Sequence, residues 1–172
     1  RELITELAPY GLAFPVAHCG SVALGGYLLG GGSGWNGRSW GDVACFSVTA
    51  IDVVTASGER VRADELENSD LFWAARGAGP GFFGAVTRYH LRLYPLPRAI
   101  TGSSWVWPLD RAPEVADRLQ ALDAGLPDAV ETLMFLASAP ESLRARCAPH
   151  GRMCAVSATA FTDDPGEALD LL

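Results

Sequence analysis

A cysteine that runs straight into a glycine-rich stretch is the first place in this chain where chemistry could be done. Cys19 leads into Gly20, Ser21, Val22, Gly25 and Gly26, and seven glycines lie between Gly20 and Gly41. A thiolate is a nucleophile that forms covalent bonds. Glycine at that density costs chain entropy, so the backbone there must adopt φ > 0 or approach something closely. The segment is therefore the expected ligand site. His18 stands beside Cys19, which invites a thiol-protease reading. Adjacent side chains on an extended chain point to opposite faces, however, and the imidazole is poorly placed to serve that sulfur as base.

Other patterns are weaker. Cys19, Cys45, Cys147 and Cys154 are separated by 26, 102 and 7 residues with no C-x-x-C pair, so neither zinc ligation nor thioredoxin-type redox is indicated and no metal is expected. Two stretches fit G-x-G-x-x-G, at Gly32, Gly34 and Gly37 and at Gly79, Gly81 and Gly84. A nicotinamide site needs a strand before that pattern and a helix after it. No helix is expected between Gly32 and Asp52 in the first stretch, and the second, with Pro80 inside it, is expected to follow a helix and open a strand. A Walker A lysine is missing as well.

The elements that must position these residues follow from periodicity. Residues 1–7 read as the tail of a helix stopped by Pro9 and Gly11. Residues 47–55 and 59–63, joined through Gly58, read as a β-hairpin. A helix over 69–76 has Ser69 as its cap, Leu71, Phe72 and Ala75 on one face, and Gly77 as its stop. Residues 82–93 alternate as a half-buried strand should. Pro95-Leu96-Pro97 marks a seam, because neither proline can extend a ladder or a helix. Beyond it come strands over 102–107, 130–137 and 153–161, and helices over 111–122, 140–146 and 165–172. That alternation implies an α+β layer with helices on one face. Several chemically suggestive residues read more simply: His90 as structural, His150 as a loop residue, Arg76 as a helix C-terminal cation, and Asp163-Asp164 as a helix start. Trp35, Trp40 and Trp73 could cover a ligand, but tryptophan is usually core.

Composition bounds the function. The 172 residues suffice for a domain that buries about 70% of its unfolded surface. Apolar residues make up 49% and charged residues 19%, which excludes disorder. The net charge of −7 repels phosphate backbones and anionic lipid, so no nucleic-acid partner is expected. Apolar runs all fall short of the roughly 20 residues needed to span a bilayer, so no membrane segment is expected. Neither a start methionine nor a signal peptide is visible before Arg1. Sparse cysteine usage fits a reducing compartment and favours the cytoplasm.

The motifs taken in order carry a resemblance. They are His18-Cys19-Gly20-Ser21-Val22-Ala23-Leu24-Gly25-Gly26-Tyr27, the triplet Gly30-Gly31-Gly32, Arg38-Ser39-Trp40-Gly41, the run from Val48 to Gly58, and the run from Asn68 to Gly77 followed by Phe83-Gly84-Ala85-Val86-Thr87. Together they resemble the FAD-linked oxidases of the berberine bridge enzyme type, within the vanillyl-alcohol oxidase superfamily. The resemblance covers residues 1–98. It implies an α+β fold: the rear part of a PCMH-type FAD-binding domain over 1–98, then the start of an α+β substrate domain over 99–172. It also implies FAD as cofactor and a small-molecule substrate, an alcohol or amine that gives a hydride to the flavin, with reoxidation by oxygen or another acceptor.

By the same resemblance, Cys19, six positions before Gly25, forms a thioether to C6 of the isoalloxazine. Ser21, Val22, Gly25 and Gly26 line the flavin and its pyrophosphate. Tyr27 stands at the pyrimidine edge, where many relatives have histidine, and Val53 or Val54 packs near the adenine end or simply belongs to the core. Phe46-Ser47 replaces the family's common Asp-Asn pair. The family's Arg/Gly-rich pyrophosphate loop and its C-terminal catalytic base have no counterpart in these residues, so no base is nominated. The alternatives are a truncated, inactive remnant of such an enzyme and, on the two glycine patterns alone, an NAD-dependent dehydrogenase.

Overall fold

A computed structural model describes residues 1–41 and 43–172 of the chain. It divides into two compact units, Arg1–Leu96 and Pro97–Leu172, and the division falls within the Pro95-Leu96-Pro97 stretch.

In the first unit, α1 (Glu2–Leu7) places Glu2 in its first turn, where a carboxylate suits the helix dipole. A 3-10 turn with Pro9 follows, and Gly11 ends it in the left-handed region at φ 65°. Next come β1 (Leu12–Ala13), α2 (Leu24–Leu29) and the single-turn α3 (Gly37–Trp40). The expected hairpin is β2 (Val48–Val54) with β3 (Arg60–Asp64), antiparallel, and its turn closes at Gly58 with φ 81°. After α4 (Ser69–Ala75), β4 (Ala85–Leu91) pairs antiparallel with the other edge of β2, giving the order β3-β2-β4. Finally β5 (Tyr94–Pro95) returns to pair with β1.

Central β2 supplies the core. Val48, Ile51 and Val53 pack with Phe14, with Leu28 of α2 and with Phe72 and Ala75 of α4. Two local readings are corrected. The cap of α4 is Asn68, not Ser69: Asn68 sits at φ 48° and its side-chain amide donates to the Arg62 carbonyl at 2.6 Å. Asparagine visits the left-handed region more readily than other residues with a Cβ. The strand expected over 82–93 is shorter, Ala85–Leu91, because that is the stretch that pairs with β2. Gly84 then lets the chain close on the core, since a Cβ there would come within 2.5 Å of Val53 Cγ1.

The second unit comprises β6 (Ala99–Pro108), α5 (Ala112–Asp123), β7 (Val130–Ser138), α6 (Glu141–Arg144), β8 (Arg152–Thr162) and α7 (Pro165–Asp170). All pairings are antiparallel, in the order β6-β8-β7. Alternation along β8 puts Cys154, Val156, Ala158 and Ala160 on one face. The first two pack with Val115 of α5 and the last two with Ala168 of α7, so both helices cover the same face. Ile100, Leu133 and Phe135, one strand position out of phase, lie exposed on the other. Asp164 caps α7, accepting from the amides of Gly166 at 2.8 Å and Glu167 at 3.0 Å, which makes the Asp163-Asp164 pair a helix start as expected.

The adjacent residues Phe72 and Trp73 test this packing, being 1% and 75% exposed. Phe72→Ala should lower the unfolding free energy by about 3–5 kcal/mol. Trp73→Ala should change it by less than about 0.5 kcal/mol. Urea titration of the intact protein checks both, and equal costs would contradict the orientation of α4.

Candidate functional site

Cys19 lies on the segment that links β1 to α2. Phe14 and Pro15 are buried, and the chain then emerges into solvent and turns, with the Val22 amide donating to the Cys19 carbonyl at 3.3 Å. The sulfur is exposed and lies 3.0 Å from Ser21 Oγ. Hydrogen bonds from the Ser21 hydroxyl, and secondarily from its backbone, hold the Cys19 thiol below the usual thiol range, because they favour the thiolate. The other three cysteines are free but buried. Burial pushes the thiols of Cys45 and Cys154 up, with Arg76 partly offsetting this at Cys45. Among the described residues, Cys19 is thus the cysteine suited to react.

A cavity of about 500 Å³ opens beside this sulfur, within the size range of small-molecule sites. Cys19, Ser21, Val22 and Tyr27 all line it, together with Arg1 and with Glu2 of α1. Tyr27 donates its hydroxyl to the Pro15 carbonyl at 3.0 Å. Gly25 and Gly26 stand just beyond the cavity, in the first turn of α2, and the Gly25 carbonyl accepts from the Tyr89 hydroxyl at 3.1 Å. A Cβ at Gly26 would meet nothing within 4 Å, so open space lies against that backbone. Val53 is fully buried in the core cluster and does not line the cavity.

These features suit a flavin. An exposed thiol, a glycine-containing loop and open room beside α2 leave space for a planar ring to lie against the backbone. The residues placed to meet such a ring are Cys19, Gly20 and Ser21 on the cavity wall and Gly26 beside it. Gly20 also lines the cavity, as do Val16 and Ala17, which were not singled out by type. Their adjacency to Cys19 is the only signal that marks them.

The remaining suggestive residues have structural roles. The His18 ring lies 4.5 Å from Trp35, and Trp40 stacks on Tyr94 at 5.3 Å. The Arg76 guanidinium lies over Phe72 at 4.3 Å and Phe46 at 5.7 Å, interactions that suit a cation at the end of α4. His90 Nε2 lies 3.5 Å from Asp52, with Arg88 at 3.7 Å from the same carboxylate. The glycine pattern starting at Gly32 follows helix α2, not a strand, and the pattern starting at Gly79 has α4 before it and β4 after it. Neither has the strand-then-helix order of a dinucleotide fingerprint. Among the described residues no group of His, Cys, Asp or Glu could hold a metal ion, and no helix is long and apolar enough to cross a membrane.

Comparison with known proteins bears directly on this segment. Residues 1–64 match the FAD binding domain family. The FAD-linked oxidoreductase nodO of Hypoxylon pulicicidum is 45% identical over 134 residues, which cover 78% of this chain and 30% of that protein. Among solved structures, 6-hydroxy-D-nicotine oxidase from Arthrobacter nicotinovorans superposes with a TM-score of 0.77 at 25% identity, covering 98% of this chain and 35% of that one. A berberine bridge enzyme-like protein of Arabidopsis thaliana gives 0.80 at 23% identity over 99% and 33%, a likeness of fold. The chain therefore spans about a third of the length of the proteins it matches. The family match falls on the residues that build the Cys19 cavity, so the chain carries part of an FAD binding domain, is similar to FAD-linked oxidoreductases and shares the fold of berberine bridge enzyme-like proteins, with FAD as the cofactor.

Proposed function

We propose that the protein carrying this chain is an FAD-dependent oxidoreductase that oxidises a small alcohol or amine and holds its flavin covalently through Cys19. The observation that carries this reading is the exposed Cys19 sulfur, 3.0 Å from Ser21 Oγ on the wall of a cavity of about 500 Å³. The match of residues 1–64 to an FAD binding domain supports it. The chemistry supplied on binding FAD is two-electron oxidation, with hydride taken from a substrate carbon and electrons passed to dioxygen or another acceptor. Ser21 keeps the sulfur nucleophilic, the Gly20 backbone permits close approach, and Val22 offers an apolar wall. Attachment balances when the thiol and the ring each give up one hydrogen and dioxygen takes both as hydrogen peroxide. Residues 99–172 are proposed as the start of the substrate domain, on the support of the exposed Ile100, Leu133 and Phe135 on the sheet face opposite α5 and α7. A reducing compartment suits the four free thiols.

Acid precipitation of the intact protein tests the tether. Wild type should keep its yellow colour in the pellet, and Cys19→Ala should release all flavin to the supernatant. Release from wild type would refute the bond to sulfur, and absence of flavin from both would refute the function. Ser21→Ala tests the activation. Its hydroxyl favours the thiolate, so its loss raises the thiol midpoint and leaves less thiolate at neutral pH. Alkylation of Cys19 should then need more alkaline conditions, and flavin attachment should slow by roughly threefold to tenfold, the equivalent of one hydrogen bond.

A further inference from the structure

The loop that carries Cys19 is closed at both ends by the same residue. At its far end, the Tyr27 backbone amide donates to the Ala23 carbonyl at 3.2 Å. At its near end, the Tyr27 hydroxyl donates to the carbonyl of Pro15, itself fully buried, at 3.0 Å. Residues 16–22 lie between these anchors with the cysteine near their middle. Fixing both ends of a short loop removes conformations that a reactive side chain on it would otherwise sample.

The glycine stretch gives the phenol its seat. A Cβ at Gly32, where φ is 77°, would stand 2.6–2.8 Å from three atoms of the Tyr27 ring. At Gly34 a Cβ would lie 2.5 Å from the phenol oxygen and would overlap the Val16 carbonyl. That seat is itself held, because the Gly31 and Gly32 carbonyls accept from the amides of Cys45 and Ala44, both at 2.8 Å. It also reaches the loop directly: the Trp35 amide donates to the Val16 carbonyl at 3.0 Å, and the Trp35 ring meets His18.

We propose that Tyr27 is a positioning residue for Cys19, a staple whose hydroxyl fixes the Pro15 end of the loop while its ring locks onto Gly32 and Gly34. Its consequence for flavin attachment rests on the reading of Cys19 as the tether, but its effect on the sulfur is measurable without flavin. Arg1 and Glu2 share the cavity and His18 adjoins Cys19, and these charged or titratable neighbours stay unchanged in every variant.

The test uses the intact protein as wild type, Tyr27→Phe, Tyr27→His and Gly34→Ala, with Ser21→Ala as reference. Two quantities are read: the pH profile of Cys19 alkylation by iodoacetamide in flavin-free protein, followed by peptide mass, and the rate at which added FAD becomes acid-stable. Tyr27→Phe should move the alkylation midpoint in the direction of Ser21→Ala and slow attachment on the order of tenfold, the loss of one part-buried hydrogen bond. Tyr27→His, which keeps an N–H donor, should recover part of both. Gly34→Ala, which leaves the phenol intact but crowds both its oxygen and the Val16 carbonyl of the loop, should reproduce the defect, and Tyr27→His against wild type carries the test if Tyr27→Phe does not fold. A wild-type profile and rate in Tyr27→Phe would overturn the proposal, as would equal impairment of the Phe and His variants. If wild type forms no covalent flavin yet Tyr27→Phe moves the alkylation profile, the staple stands and only the tether fails.

Discussion

A thiol that is to react must stand in solvent, so everything that holds it still has to lie behind it. That constraint orders the first unit. Cys19 is exposed, and its sulfur lies 3.0 Å from the hydroxyl of a neighbour on the same turn, Ser21. Rigidity comes from deeper layers: buried Phe14 and Pro15 before the loop, α2 after it, and Tyr27 reaching across between them. Behind these stand the central strand β2 and the core of Ile51, Val53 and Phe72. A nucleophile on a loop is precise only when the scaffold under the loop is packed.

The same constraint gives the glycines two meanings. At Gly26 the missing side chain leaves room beside a backbone that has open space in front of it. At Gly32, Gly34 and Gly84 it lets protein close on protein, on the Tyr27 ring, the Val16 carbonyl and Val53. Composition alone flags all of them as places of close approach and is right to do so. What approaches is decided by the fold.

Much of that fold is legible in the sequence where periodicity is strong. Hairpin β2–β3, helix α5 and strands β7 and β8 follow from alternation and from apolar spacing, because each buries one face against a neighbour. Helix α2 is not anticipated: two glycines in six residues argue against a helix on propensity, and it is held by burying Leu28. The β1–β5 ribbon joins two pairs of residues at opposite ends of the unit, which no local pattern can reveal. Of the residues nominated for the site, Cys19, Ser21, Val22 and Tyr27 line one cavity, Gly25 and Gly26 adjoin it, and Val53 belongs to the core. The staple by Tyr27 is invisible in sequence because its partner is a backbone carbonyl, which every residue carries.

The central claim is that one sulfur on one exposed turn carries the flavin. Arginines at positions 1 and 38 bound a stretch with no other tryptic site, so a tryptic digest of the intact, acid-denatured protein isolates Cys19 on the peptide from Glu2 to Arg38. The account predicts that this peptide, and no other containing Cys45, Cys147 or Cys154, carries the mass of the flavin and its visible absorbance. An unmodified Glu2 to Arg38 peptide from yellow, active protein would contradict it.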